Sequence, residues 1–123
     1  MINPKELRIG NLVYREGIIR MVKSISDDYI GLCFEYSHGV HYGTSKDLTP
    51  IPLTHEIFKQ AGFELFPWGF VKNDVLIRVH WNGKAAPKYW LEVGNGLRVD
   101  LLPVHQLQNL FHALTGEELE IKL

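Results

Sequence analysis

The residues best suited to chemistry or binding lie in three neighbouring segments of the C-terminal half. The segments VLIRVHW, KYWLEV and LRVDL alternate apolar and polar residues, as half-buried strands do. The polar positions are Arg78 and His80, then Lys88, Trp90 and Glu92, then Arg98 and Asp100. Acids, bases, an imidazole and an indole on adjacent strands suit either acid–base catalysis or ligand contact.

We interpret this polar face first as a binding surface. A tryptophan among charged residues is typical of an interaction anchor. The predicted binding residues are Trp90, Arg78, His80, Lys88 and Arg98. Two alternatives remain open. Cross-strand charge pairs also keep one face of an antiparallel sheet in water, so the face can be merely solvated. The chain can also be a small enzyme that uses His80 with Asp100 or Glu92 as an acid–base pair.

Two histidine pairs are candidate metal ligands. His105 and His112 are predicted to share the helix face that points away from Leu107, but they lie about 10.5 Å apart along the axis. A helix usually binds one metal through histidines four residues apart, so we expect both imidazoles to face solvent or a partner. His38 and His41 form an H-x-x-H pair without an evident third ligand. We therefore predict neither a metal nor another cofactor.

The other chemical signals are weak. Cys33, the single cysteine, lies in the apolar run GLCF and is interpreted as a buried structural residue. The sequence contains neither the phosphate-loop pattern nor the nucleophile-elbow pattern. Its start, MINPKELRIG, lacks the basic and apolar regions of a signal peptide, and no apolar run approaches the ~20 residues of a membrane span. We expect a cytoplasmic protein that does not contact a membrane.

Charge bears on the class of partner. Thirteen basic and fourteen acidic residues give a net charge of -1, which favours a protein partner over a nucleic acid. The first 23 residues nevertheless hold a local excess of positive charge. The residues concerned are Lys5, Arg8, Arg15, Arg20 and Lys23, against Glu6 and Glu16. This basic segment keeps a nucleic-acid partner as an alternative.

The N-terminal part is predicted to be a small barrel. Short apolar segments between residues 9 and 49 are separated by turn signals at Glu16-Gly17, Ser26-Asp27-Asp28 and Ser37-His38-Gly39. Four or five short strands in about forty residues are typical of an SH3-like β-barrel. We assign this subdomain to residues 1–52.

The remaining residues, 53–123, are predicted to form a short helix, an antiparallel β-meander and a covering helix. Thr54 and Gly62 have the residue types of a helix N-cap and C-terminal stop. Turn signals at Asn73-Asp74, Asn82-Gly83 and Asn95-Gly96 separate the strands. Their apolar positions, among them Trp81, Leu97, Val99 and Leu101, are expected to share one buried face.

The C-terminal helix is predicted from Pro103 to Leu114, with Gly116 after its end. Its apolar stripe is Leu107, Leu110, Phe111 and Leu114. The fold class is α+β, in a single domain of residues 1–123.

Three stretches resemble a known group of proteins. ELRIGNLVYREG, PIPLTHEIFKQAGFE and VHQLQNLFHALTGEELEI are similar to segments of small proteins from gut anaerobic bacteria and their prophages, a group without an assigned activity. The resemblance implies a cytosolic protein of bacterial or prophage origin. It transfers no catalytic residue.

Overall fold

A computed structural model of the chain describes residues 2–26, 30–33, 40–81, 83–93 and 96–122. It is an α+β fold with two antiparallel sheets and a C-terminal helix. The strands of the first sheet are β1 (Leu12–Arg15), β2 (Ile18–Ile25), β3 (Ile30–Cys33), β4 (Val40–Gly43) and β5 (Leu48–Thr49). Those of the second are β6 (Glu64–Phe66), β7 (Gly69–Lys72), β8 (Val75–His80), β9 (Lys88–Val93) and β10 (Leu97–Leu101). The helices are α1 (His55–Gln60) and α2 (Val104–Thr115).

The chain divides into two compact units. The first contains Met1–Ile51 and Pro103–Asn109, and the second contains Pro52–Leu102 and Leu110–Leu123. The chain therefore passes from one unit to the other three times: in the proline-containing connector before α1, between Leu102 and Pro103, and inside α2.

The sheet of the first unit is a curled half-barrel. Its strand order is β4-β3-β2-β1-β5, so β1 pairs with both β2 and β5. The predicted turn at Glu16 and Gly17 is confirmed, since both have positive φ, 53° and 75°. Two such residues form the tight hairpin turn that matches strand twist. Among the described residues, the core beneath this sheet includes Ile2, Leu7, Val13, Val22, Ile30 and Leu48.

Helix α1 begins and ends as the sequence predicts. The Thr54 hydroxyl accepts a hydrogen bond from the Ile57 N–H at 3.2 Å, which caps the N-terminus. Gly62 follows the helix with φ 87°, a conformation that few other residues adopt. The buried face of α1 carries Ile57 and Phe58.

The second sheet is a meander of order β10-β9-β8-β7-β6. Its predicted turn at Asn73 and Asp74 is confirmed, with φ of 49° and 66°. Two strand ends depart from the prediction. Trp81 is 60% exposed and Leu97 is 69% exposed, although both were assigned to the apolar face. Trp81 follows the last residue of β8, and Leu97 is the first residue of β10. Alternation assigns both to the apolar face, but they lie at the ends of their strands and stay exposed to solvent.

The apolar face of the second sheet is covered by α1 as well as by α2, which the sequence did not indicate. Phe58 stacks on Phe70 of β7, with ring centroids 4.6 Å apart, and tilts against Tyr89 of β9 at 4.8 Å. The second half of α2 contributes Phe111, whose ring lies 6.1 Å from that of Phe63. Helix α1, although only six residues long, therefore places the Phe58 ring at the centre of this core.

Helix α2 differs from its prediction in the extent of its buried stripe. Leu107 and Phe111 are buried as expected, and Leu110 is half-buried. Leu114 is 52% exposed, so its assignment to the stripe is wrong. Gly116 follows the helix with φ 75°, which confirms the predicted end.

Candidate binding surface

Strands β8, β9 and β10 carry the polar residues of the predicted site on one side, here called the polar sheet face. Its members are Arg78, His80, Lys88, Trp90, Glu92, Arg98 and Asp100. They alternate with buried residues such as Tyr89 and Leu91, because successive side chains of a strand point to opposite faces. The register places Trp90 between Arg78 on β8 and Asp100 on β10. The five predicted binding residues are therefore neighbours on three adjacent strands.

Trp90 occupies the middle of this face and is half-buried. The guanidinium of Arg98 lies over its ring, 4.2 Å from the centroid, in a cation–π contact. The Arg98 Nε also donates a hydrogen bond to the Asp100 carboxylate at 2.8 Å. Indole, guanidinium and carboxylate thus form a pre-arranged group. Trp90 is less exposed than an isolated anchor would be, because Arg98 covers part of it.

The remaining charges are only partly paired. The Arg78 Nε lies 3.7 Å from the Glu92 carboxylate, and both side chains are more than a third exposed. Such surface pairs contribute little to stability, so they can exchange for contacts with a partner. Lys88 is exposed at the start of β9 and belongs to neither this ion pair nor the Arg98–Asp100 pair.

The register does not support the acid–base pairs proposed from the sequence. His80 lies opposite Lys88. Asp100 is on β10, and β9 separates that strand from β8, which puts the two backbones about 10 Å apart. Glu92 lies four residues along β9 from Lys88, about 13 Å. His80 therefore has no directly opposed carboxylate in the described strands.

A cavity of about 380 Å³ adjoins the polar sheet face and is here called the β9–β10 cavity. Seven of its ten lining residues are apolar or aromatic: Pro52, Leu53, Ala86, Pro87, Tyr89, Leu101 and Leu102. The three polar lining residues are Lys88, Arg98 and Asp100, all of them members of the polar sheet face. Sequence reasoning missed this cavity because its walls come from the connector before α1 and the loop before β9.

A histidine–tyrosine pair lies behind the cavity. The His55 Nδ1 and the Tyr89 hydroxyl are 2.6 Å apart, and the imidazole also contacts the rings of Phe70 and Trp81. Tyr89 is buried, and burial raises the pKa of its hydroxyl, so this group stays protonated at neutral pH. No sequence motif indicates this pair, since His55 is the residue that directly follows the Thr54 helix cap.

The first half of α2 holds a polar cluster that corrects the prediction for His105. The prediction that His105 faces solvent or a partner is wrong: it is only 2% exposed, and its Nε2 lies 3.4 Å from the Glu6 carboxylate. Burial lowers the pKa of His105, and the nearby Glu6 opposes this effect without reversing it. His112 is half-exposed, with its Nε2 3.7 Å from Glu118.

Amide side chains complete this cluster in the first unit. Gln108 accepts a hydrogen bond from the Leu12 N–H at 2.8 Å and donates to the Gly10 carbonyl at 3.2 Å. Asn109 accepts from the Asn11 amide at 2.9 Å and donates to the Glu6 carbonyl at 2.7 Å. His105, Gln108 and Asn109 thus contact the N-terminal segment. Their role in the described contacts is structural.

The basic residues of the N-terminal segment do not form one surface. Arg15 and Arg20 lie on the same face of the sheet as the buried residues Val13 and Val22, because side chains two positions apart in a strand share a face. Both arginines are half-buried. Lys23, next to Val22 on β2, is exposed. The Arg8 guanidinium donates a hydrogen bond to the Asn109 side-chain oxygen. Lys5 is exposed in the short 3-10 helix Pro4–Glu6.

The remaining predictions concern metal binding and Cys33. In the described ranges, no three His, Cys, Asp or Glu side chains cluster as a metal site requires. His38 lies outside the described residues. His41 pairs with Leu32 across β3 and β4, and Cys33 closes β3, but their side chains are outside the described part.

Neither helix in the described part of the chain is long and apolar enough to cross a membrane. A comparison with protein-family models finds no match to this chain, and comparisons with curated proteins and with solved structures find none either. The similarity to small proteins of gut anaerobes and prophages stays a prediction.

Proposed function

We propose that this chain is a non-enzymatic protein-binding or adaptor module whose partner contacts the polar sheet face. The observation that carries the proposal is the half-buried Trp90 with Arg98 held over its ring and Asp100 bonded to Arg98. Tryptophan and arginine are the residues that most often dominate binding energy at protein interfaces. A group arranged before binding loses little conformational freedom when the partner arrives.

Charge favours a protein over a nucleic acid as the partner. The polar sheet face alternates cations with Glu92 and Asp100, whereas a phosphate-binding surface is predominantly basic. The net charge of -1 and the scattered basic residues of the first unit point the same way.

Three narrower statements accompany this proposal. We regard residues 1–52 as an SH3-like barrel, supported by the pairing of β1 with both β2 and β5. The chain is of bacterial or prophage origin, as its resemblance implies. It acts in the cytoplasm, which its single cysteine supports.

The test is capture of partners by the tagged protein from a lysate of a gut anaerobic bacterium, with and without nuclease. Wild type is compared with Trp90→Ala and with the control Trp68→Ala. Trp68 is a 52% exposed tryptophan between β6 and β7, at the opposite end of the same sheet. Circular dichroism checks that both variants fold.

A protein partner that survives nuclease, persists with Trp68→Ala and is lost with Trp90→Ala supports the proposal. A partner retained equally by both variants contradicts the assigned surface. Material that disappears with nuclease identifies a nucleic-acid binder instead.

A further inference from the structure

We propose that the β9–β10 cavity binds an acidic peptide segment, with an aliphatic side chain inside the cavity and a neighbouring carboxylate on Lys88. This inference rests on the proposed function, because it specifies the chemistry of the partner that reaches the polar sheet face.

The walls select an apolar group. Leu53 and Leu101 are buried, and Leu102, which is 77% exposed, also lines the cavity beside Pro52 and Pro87. An exposed leucine is ordinary by itself, but one that forms the wall of an apolar cavity gains contacts when a ligand fills it. The interior therefore favours an aliphatic side chain.

The rim selects a negative charge. Arg98 and Asp100 neutralise each other through their 2.8 Å contact, which leaves Lys88 as the net charge among the lining residues. His80 lies opposite Lys88 and adds no negative charge there. A carboxylate from a partner meets a cation at this position, whereas a lysine or arginine would be repelled.

The position of the cavity beside the polar sheet face favours a segment of chain as its occupant. A volume of about 380 Å³ is near the lower end of the range for ligand pockets, about 300–1,000 Å³. The cavity also shares Lys88, Arg98 and Asp100 with the polar sheet face, so an occupant can continue from it toward Trp90. One aliphatic side chain and the adjacent backbone of the segment occupy the cavity while the neighbouring residues contact the sheet.

The probe is a phage-displayed library of random peptides selected on the intact chain. We expect enriched peptides to place Asp or Glu next to Leu, Ile or Val. In fluorescence anisotropy, Lys88→Glu and Leu102→Ser should each weaken binding of a synthetic enriched peptide about tenfold or more. The matched controls are Lys23→Glu, an exposed lysine of the first unit, and Leu97→Ser, an exposed leucine of β10 outside the cavity. These controls should bind as wild type does.

Enrichment of basic peptides, or of none, overturns the inference. So does an acidic peptide whose affinity is unchanged by Lys88→Glu and Leu102→Ser. If such a peptide is nevertheless lost with Trp90→Ala, the proposed surface stands and only the cavity assignment fails. If Trp90→Ala binds normally while the two cavity variants do not, the cavity assignment stands and the central role of Trp90 fails.

Discussion

His105 and Glu6 meet although 99 positions separate them in the chain. A helical wheel places His105 opposite the Leu107 stripe, and that reasoning assumes a helix covered on one side only. The N-terminal segment covers the other side in the first unit, so both Leu107 and His105 are buried. The burial of this imidazole has consequences for stability.

We predict that acid destabilises the protein through His105. Its pKa in the folded state is lowered from the ordinary value of 6.5, so the unfolded chain binds the proton more tightly. The stability contributed by the neutral imidazole is present above pH 6.5 and is lost as the pH falls from there through the folded pKa. The slope for one proton is at most about 1.4 kcal/mol per pH unit.

Urea unfolding of wild type and His105→Leu, followed between about pH 5 and pH 8, measures this contribution. As the pH falls, the unfolding free energy of wild type should decrease more than that of His105→Leu. The half-exposed His112, replaced by leucine, serves as the control for the loss of an imidazole elsewhere on α2. An identical pH dependence in wild type and His105→Leu would contradict the prediction.

A second residue-scale prediction concerns Gln108, which is 3% exposed. Gln108→Ala leaves the Leu12 N–H and the Gly10 carbonyl without their side-chain partner. Each unsatisfied buried group costs about 1–3 kcal/mol, so we expect the free energy of unfolding to fall by about 2 kcal/mol or more. Chemical denaturation measures it, with His112→Ala as a control that changes stability by less than about 0.5 kcal/mol. Equal effects of the two substitutions would refute a structural role for Gln108.

At the scale of elements, Gly69 determines how closely β7 approaches β8. Its φ is 144°, and a Cβ built on it would collide with the backbone carbonyl of Ile77. Backbone atoms cannot move aside as a flexible side chain does. Gly69→Ala should therefore destabilise the protein by more than about 1 kcal/mol.

The control for Gly69 is Gly83→Ala. Gly83 also has positive φ, 80°, but open space where its Cβ would lie. Both variants place alanine at a positive φ, so Gly83→Ala shows the effect of such a substitution without a collision, and Gly69→Ala should lower the thermal midpoint further. A Gly69→Ala midpoint no lower than that of Gly83→Ala would rule the collision out.

Helix α1 is stabilised by the packing of Phe58, because six residues are too few to form a stable isolated helix. Phe58 is fully buried and stacks on Phe70. Phe58→Ala should cost about 3–5 kcal/mol of unfolding free energy in urea denaturation. Phe66→Ala, at a half-exposed phenylalanine of β6 stacked on Trp68, should cost clearly less.

The charge of the whole molecule makes nucleic-acid binding unfavourable. The net charge is -1, and Arg15 and Arg20 are half-buried whereas Lys23 is exposed, so few phosphates can be neutralised together. We expect no binding of random-sequence DNA or RNA oligonucleotides at physiological ionic strength in fluorescence anisotropy. Affinity that falls steeply with added salt would revive the basic-segment alternative.

Much of the architecture could be predicted because local patterns report local structure. Two-residue turns require positive φ, which Asn73-Asp74 and Glu16-Gly17 accept, and Thr54 and Gly62 have the chemistry of helix ends. Alternation placed Trp90 and its charged neighbours on one face without knowledge of the register. These features depend on residues a few positions apart, so the sequence alone determined them.

Burial and partnership depended on segments far apart in the chain, and only the tertiary structure decided them. His105 became buried because the N-terminal segment covers α2, and Leu114 became exposed because no element of the second unit covers it within the described residues. The β9–β10 cavity and the Tyr89–His55 contact each combine residues more than thirty positions apart. Hydrophobic periodicity shows which residues can share a face, but the packing of distant segments determines which part of that face loses its water.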